Sequence, residues 1–224
     1  MLIGYINEIN TLRANLIGAA AGRPPDYFTA QMSLPAATEI VTTPETGSIT
    51  GLDLNGLTFN GSQYINTGYK PTNNTKIDIV FMQEQYAAFL FGCRTSGGAD
   101  AFAFINYSTS MYPQFGSFQA VVSPTDMSLN EKHRLVLSQD GAYIDDTAVK
   151  TFDTMNFTST LDLYIGTRNQ SGTLDSRMFV GAIYAVKIYE SNVLQMALYP
   201  HNNGTENGLY DLVDSTFYPQ SVRT

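Results

Sequence analysis

The last third of the chain constrains the fold most, because it is a succession of apolar segments of strand length. Residues 179–189 form one long apolar segment, and residues 194–200 form a second. Residues 208–213 then lead through a turn to the aromatic pair Phe217 and Tyr218, which we expect to return to the core. This succession predicts a β domain before any chemistry is considered.

The region before these segments shows the same alternation of strands and turns. Ile77, Ile79 and Phe81 alternate with other residues and predict one buried face of a strand. Turn signals follow along the chain at Asn60-Gly61, Asn73-Asn74, Gly97-Gly98, Asp140-Gly141, Ser171-Gly172, Asn203-Gly204 and Asn207-Gly208. Two packed sheets bury many half-apolar strands, so residues 52–220 are predicted to form an all-β, two-sheet antiparallel sandwich.

The composition argues against several classes of partner. The formal net charge of -8 disfavours nucleic acid, because a phosphate backbone requires a basic surface. No apolar run is long enough to span a membrane, and no run of Lys or Arg indicates an anionic membrane surface. The single cysteine, Cys93, excludes an internal disulfide and is expected to be buried. No secretion signal is evident, so we expect synthesis in a host cytoplasm.

The first 20 residues have the spacing of an amphipathic α-helix. The apolar stripe consists of Leu2, Tyr5, Ile6, Ile9, Leu12 and Leu16. A helix of this length is not stable alone in water, so its stripe must be covered. It either folds back on its own β domain or joins copies of itself in a short parallel bundle, and the width of the stripe favours a homotrimer. Insertion into a larger assembly is the third possibility.

The segment between the helix and the β domain, residues 21–51, is predicted to be an extended arm. Pro24, Pro25, Pro35 and Pro44 disfavour both helix and central strand. The same segment is too apolar for a free linker, so we expect it to lie on a protein surface.

Several segments of the β domain, taken in order, resemble the laminin-G-like and concanavalin A-like jelly-roll family. Residues 61–71 resemble the opening of that domain, and residues 89–92 resemble its next strand. Residues 133–145 resemble its central hairpin, and residues 163–166 and 208–213 resemble its later strands. Each segment alone is weak evidence for this family, but the order and spacing of the segments together carry the resemblance.

The resemblance implies a function as well as a fold. Members that carry an N-terminal apolar helix in place of a signal peptide look like bacteriophage virion proteins. We therefore expect a non-enzymatic, lectin-like virion component: a homotrimeric fibre, decoration or receptor-binding appendage that binds host surface glycans and contacts other virion proteins through its helix and arm. The alternatives are a structural head or tail component without a ligand, a glycoside hydrolase of concanavalin-like fold, and a bacterial surface carbohydrate-binding module.

No catalytic motif is recognised in the sequence. The related glucanases place carboxylates at alternate positions of one strand, where they share a face. Here Asp78 is alone on its strand, because Val80 and Met82 share its face and Glu84 falls beyond the strand end. We therefore expect no enzyme activity and no cofactor.

Metal binding has little support in the sequence. His133 and His201 lack the spacing of a metal pair; His133 is expected to be a structural, hydrogen-bonded residue and His201 to lie on a surface loop. The acids that invite comparison with a calcium site at the rim of the sandwich are Asp140, Asp145, Asp146, Asp211 and Asp214. Turn formation and solubility explain them equally well, and we predict no metal site.

Glycan binding is the remaining candidate chemistry. Sugars are bound by aromatic faces together with planar polar side chains, and the absence of Trp removes the strongest stacking residue. The candidate contacts are Asn106, Tyr107, Tyr112, Gln114, Arg168 and Asn169, with Arg177 close to the last two in sequence. The alternative is that these aromatic residues serve the core or an interface.

Overall fold

The computed structural model describes residues 41–42, 48–49, 55–116, 118–119 and 127–223. The predicted helix over residues 1–20 lies outside these residues, and so does most of the predicted arm. Within the arm, Val41–Thr42 and Ser48–Ile49 pair as a short antiparallel hairpin. No helix in the described part of the chain is long and apolar enough to cross a membrane.

The described residues form twenty strands. In chain order they are β1 (Val41–Thr42), β2 (Ser48–Ile49), β3 (Leu57–Asn60), β4 (Gln63–Asn66), β5 (Thr75–Gln83), β6 (Ala88–Arg94), β7 (Ala101–Tyr107), β8 (Ser110–Gly116), β9 (Phe118–Gln119), β10 (Lys132–Ser138), β11 (Gly141–Ile144), β12 (Thr147–Lys150), β13 (Tyr164–Ile165), β14 (Asn169–Gln170), β15 (Thr173–Leu174), β16 (Val180–Glu190), β17 (Val193–Asn202), β18 (Asn207–Asp211), β19 (Phe217–Pro219) and β20 (Ser221–Val222).

The strands from β3 onward form two nine-stranded sheets. Sheet I has the order β12-β11-β10-β5-β16-β17-β18-β19, with β3 paired to one end of β16. Sheet II has the order β20-β4-β13-β6-β7-β8-β9, with the β14-β15 hairpin attached to β6. Pairing is antiparallel throughout both sheets except between β14 and β6, which run parallel. The predicted all-β, two-sheet antiparallel sandwich is therefore confirmed.

The core lies between the two sheets and is built by period-2 alternation. In β5, buried and half-buried residues alternate along the strand, and Ile77, Ile79 and Phe81 are fully buried as predicted. Sheet II contributes phenylalanine rings, among them Phe91 and Phe102, to the same apolar cluster. The alternation thus decides which face of each strand meets the other sheet.

Two details of the C-terminal segment differ from expectation. Tyr218 packs against the core as predicted, but Phe217 is half-buried and its ring lies 5.8 Å from that of His201. His201 belongs to β17 rather than to a surface loop. The chain then crosses to sheet II, where Ser221–Val222 pairs with β4, so the sandwich extends slightly beyond the predicted boundary at residue 220.

Candidate functional site

The outer face of sheet II, which points away from the core, carries the densest group of polar side chains with unusual surroundings. Alternate residues of β6, β7 and β8 form it, and strand pairing aligns them in rows across the sheet. One row joins Gly92, Ala103 and Gln114. The next row joins Phe89, Ile105 and Tyr112. Gly92 and Ala103 of the first row are small, whereas all three residues of the second row are large.

The β14-β15 hairpin places charged residues over this face. Ser171 and Gly172 form its turn, both with positive φ, as the turn signal at these positions predicts. Because β14 runs beside β6, Gln170 pairs with Arg94. Arg168 precedes the hairpin, and its Cγ would lie 3.1 Å from a Cβ built on Gly92. The absence of a side chain at Gly92 is what allows Arg168 to cross the sheet so closely.

Two arginines share one carboxylate above Phe89. Arg168 Nη2 donates to Asp175 Oδ2 at 2.7 Å, and Arg177 donates to both oxygens of Asp175 at 3.0 and 2.9 Å. Both guanidinium carbons also lie over the Phe89 ring, at 4.2 and 4.7 Å from its centroid. Arg177 Nη1 donates to the Tyr107 hydroxyl at 2.8 Å. Ion pairing and cation–π contact together hold these side chains on the sheet.

The electrostatics of this group follow from burial and from the proximity of like charges. Burial lowers the pKa of Arg168, and the neighbouring charges of Arg177 and Arg94 act in the same direction against the attraction of Asp175. Burial opposes the charged form of Asp175, but hydrogen bonds and charge from Arg177, with the charge of Arg168, outweigh it and hold the pKa of Asp175 below its usual value. Arg94, Arg168 and Arg177 are called the arginine cluster below.

Four polar atoms of this region are screened from solvent and have no hydrogen-bond partner among the described residues. They are Arg94 Nε, Gln114 Oε1, Arg168 Nε and Gln170 Oε1. As whole residues, Gln114 and Arg168 are nearly inaccessible, at 3% and 6% exposure. Leaving a buried polar atom without a partner costs roughly 1–3 kcal/mol, so such atoms are uncommon and usually have a reason.

The structure brings together four of the six predicted glycan contacts. Tyr107, Tyr112, Gln114 and Arg168 lie on the outer face of sheet II. The two tyrosine rings meet edge to face at 5.3 Å, and both are half-buried. An aromatic pair therefore stands at one end of the face and the arginine cluster lies beside it.

The other two predicted contacts lie on the opposite side of the sheet. Asn106 pairs with Met111 of the core, and its amide donates to Gln83 Oε1 at 3.4 Å. Asn169 pairs with Cys93, which is also in the core, and its amide donates to the Asp162 carbonyl at 3.1 Å. Period-2 alternation explains both results, because each asparagine immediately neighbours a residue of the outer face.

Sequence reasoning missed Arg94 and Asp175, which complete the charged group. The signal for Arg94 is the following pair Gly97 and Gly98: a Cβ on Gly98 would lie 2.9 Å from the Arg94 guanidinium. Small residues alternate with phenylalanines along β6 and β7, and this alternation indicates that the outer face must admit a closely packed side chain. Asp175 has no comparable sequence signal.

His133 and several of the other acids have structural partners elsewhere. His133 Nδ1 lies 2.7 Å from Asp145 Oδ2, and its Nε2 lies 3.1 Å from the Ser128 carbonyl. Arg134 binds Asp78 through two hydrogen bonds, at 2.9 and 2.8 Å, and Asp146 at 2.7 Å. Within residues 55–116 and 127–223, no three His, Cys, Asp or Glu side chains are arranged to hold a metal ion.

Asp211 is a buried acid in sheet I. Its Oδ1 accepts hydrogen bonds from the backbone amides of Ala197 and Val213, at 2.8 and 2.9 Å. Its Oδ2 is buried and accepts no hydrogen bond from residues 55–116 or 127–223. Burial raises the pKa of Asp211, and the proximity of Asp214 adds to this effect. The carboxyl group joins β17 to the end of β18, which is a structural role.

Comparisons with known proteins find similarities among solved structures. No protein-family model matches the chain, and no curated protein does. Among solved structures, the chain is similar to the native heptameric SAP-like pentraxin from Limulus polyphemus, with a TM-score of 0.44 and 11% sequence identity over 72% of this chain and 89% of the pentraxin chain. The two sheets of this chain are established by its own strand pairing.

Proposed function

We propose that this chain is a non-enzymatic adhesion protein whose sandwich binds surface glycans through the outer face of sheet II. The observation that carries the proposal is the meeting of partly exposed aromatic rings with screened, unpartnered polar atoms on that face. Tyr107 and Tyr112 supply apolar ring surface for a sugar. Gln114 Oε1 and Gln170 Oε1 are acceptors, and Arg94 Nε and Arg168 Nε are donors.

These atoms suit a sugar because a sugar ring presents hydroxyl groups on its edge and C–H groups on its face. The hydroxyls are both donors and acceptors, so one ring can satisfy an amide oxygen and a guanidinium N–H together. Recognition that satisfies a buried polar atom gains selectivity, since a ligand lacking the matching group leaves that atom unpaired.

In the complete proposal, several copies of the sandwich act together. The N-terminal stripe joins three chains, and the assembly is a fibre, decoration or receptor-binding appendage of a bacteriophage virion. Weak contacts at several heads then add through effective concentration. The apolar spacing of residues 1–20 and the resemblance of the β domain support this part of the proposal.

A glycan array probed with the full chain tests the binding function. We expect a defined set of glycans to bind, and we expect Tyr112→Ala to lower the array signal about tenfold, in keeping with the loss of one ring contact worth roughly 1.4 kcal/mol. Tyr199→Ala is the matched control, because Tyr199 is also half-buried but lies on β17 of sheet I. An array without binding, or equal losses in both variants, would contradict the proposal and favour a structural component without ligand.

Light scattering of the full chain tests the assembly. We expect a trimer, and we expect Ile9→Asp to yield monomers because it places a charge within the apolar stripe. Asn7→Asp introduces the same charge on the opposite side of the predicted helix from Ile9 and should leave the molar mass unchanged. A monomeric wild-type chain would refute the trimer and leave the glycan proposal to its own test.

A further inference from the structure

The outer face of sheet II has an excess of positive charge, although the chain as a whole has a net charge of -8. Among the described residues, the carboxylate paired with the arginine cluster is that of Asp175, which binds Arg168 and Arg177. Arg94 has no ion pair in the described part of the chain. Two of the three guanidinium groups thus share one carboxylate, and the third, that of Arg94, has none among the described residues.

The acid that follows Arg94 most closely in sequence does not pair with the cluster. Asp100 follows Arg94 closely in sequence, but its Oδ1 accepts from the Thr95 amide at 2.9 Å and its Oδ2 from the Ser159 hydroxyl at 3.2 Å. Ser159 in turn contacts the core thiol of Cys93 at 3.5 Å, which places Asp100 toward the inner side of the sheet. The excess charge therefore stays with the arginine cluster.

Burial strengthens the effect of this excess positive charge. The exposed fraction of the Arg168 side chain is 7%, and that of Asp175 is 8%. Charges interact more strongly at such sites than in water, because the local dielectric constant is lower. Arginine keeps its proton under these conditions, so the site relieves the charge by binding an anion.

The hydrogen bonds of the cluster also favour the binding of an anion. Arg94 Nε and Arg168 Nε are buried N–H donors that have no acceptor in the part of the chain that the structure describes. A guanidinium group presents paired N–H donors that match the two oxygens of a carboxylate or sulfate. Arg94 remains half-buried, as do Gln170 and Arg177, so the cluster is reached from solvent along these side chains.

We infer that the glycan bound on this face is acidic, and that Arg94 and Arg168 recognise its carboxylate or sulfate group. This inference rests on the proposed function and specifies the class of sugar. The anionic group lies at the arginine cluster, while the sugar ring extends toward Tyr112, and the amide oxygens of Gln114 and Gln170 accept hydrogen bonds from its hydroxyls.

The experiment uses the full chain on an array that carries acidic glycans, their neutral parents, and carboxyl-reduced or desulfated forms of each acidic glycan. We expect the bound set to be acidic and its signal to fall at least tenfold when the acid group is removed. The carboxyl-reduced and desulfated arms distinguish uronic or sialic acids from sulfated sugars. Binding that weakens as salt concentration rises is expected too.

Variants at Arg94 make the test specific. Arg94→Gln removes the charge of a residue without an ion pair, and we expect roughly 10-fold to 100-fold weaker binding of the acidic glycan, as for loss of a charge-assisted hydrogen bond. Arg94→Lys keeps the charge but loses the paired donors and should give an intermediate loss. Arg223→Gln makes the same charge change at an exposed residue and should bind like the wild type. Thermal melts check that each variant is folded.

The outcomes separate the two claims. Binding to neutral glycans, or binding that survives removal of the acid group, overturns this inference and leaves the proposed adhesion function standing. Folded Arg94→Gln protein that binds the acidic glycan as tightly as the wild type also overturns it. An array without any binding overturns the proposed function, and the inference with it.

Discussion

The inner and outer faces of sheet II are made by the same strands, β6 to β8, and are stabilised in different ways. On the inner face, the Phe102 ring packs against Phe91 and Phe115, with centroids 5.8 and 5.9 Å apart. On the outer face, Phe89 packs against two guanidinium groups. The centre of the inner face is filled by apolar rings, whereas the outer face depends on charges and on close approach of small residues.

This difference separates stability from function. The inner face has all the features of a packed core, in which shape and volume decide the energy. The outer face keeps buried polar atoms without partners, which a core of the same area would avoid. Polar groups of this kind suit a face that binds a ligand, and their cost is tolerated because the inner face supplies the stability.

The largest expected effect is at the centre of the inner face. Phe102→Ala removes a fully buried ring and should lower the free energy of unfolding by about 3–5 kcal/mol, through lost transfer free energy and the cavity left behind. Tyr112→Ala, at a half-buried ring of the outer face, should cost about 1 kcal/mol. Urea unfolding curves of the two variants provide the comparison. Equal losses would show that the two faces contribute alike.

A smaller effect is expected from the shared carboxylate of the outer face. Asp175→Asn leaves the buried Arg168 without its counter-ion and should lower the free energy of unfolding by about 3 kcal/mol at pH 7. Because the pKa of Asp175 is lowered by folding, its contribution is present above the pKa of the unfolded carboxyl, about 3.9, and is lost as pH falls through the lower folded value.

The pH dependence distinguishes this cause from a general loss of packing. The difference in stability between wild type and Asp175→Asn should shrink as the pH is lowered below about 4. Asp211 has the opposite pH dependence, because its pKa is raised by folding. Its contribution to stability is greatest below the pKa of the unfolded state and is lost as the pH rises through the pKa of the folded state. Asp211→Asn is therefore the control, and a difference at Asp175 that does not change with pH would contradict the ionic explanation.

The sequence predicted the sandwich well because period-2 alternation and turn residues are local signals. Ile77, Ile79 and Phe81 were assigned to one buried face from spacing alone, and the structure confirms that face. Asn106 and Asn169 neighbour outer-face residues in sequence, but the alternation of side chains places them on the other side of the sheet. The strand register is needed to assign such residues to one face of the sheet.

The charged group on the outer face was harder to predict, because it depends on contacts distant in sequence. Arg94 and Arg168 come together through one parallel pairing of two short strands, β14 and β6. Neither strand carries a motif for that pairing. Asp175 gains its role from the length of the β14-β15 hairpin, which brings its amide within 3.0 Å of the Arg168 carbonyl. Such a geometry follows from the whole fold rather than from a local pattern.

The smallest expected effect tests the close approach on the outer face. A Cβ on Gly92 would lie 2.6 Å from the Ala103 Cβ and 3.1 Å from the Arg168 Cγ, so Gly92→Ala should lower the free energy of unfolding by about 1–3 kcal/mol through overpacking. The pair Gly92→Ala with Ala103→Gly moves the methyl group across the strand pair and removes the closest clash. We expect it to recover part of the loss.

A double-mutant cycle on these two residues, measured by urea unfolding, isolates the cause. Ala103→Gly alone removes one buried methyl group and should itself be destabilising, so recovery in the double variant can come only from relief of the clash with the new methyl at Gly92. Additive losses would mean that Arg168, not Ala103, resists the added methyl. In that case the arginine cluster decides which side chains the outer face can accommodate. On the inner face, the volume of the phenylalanine rings decides this.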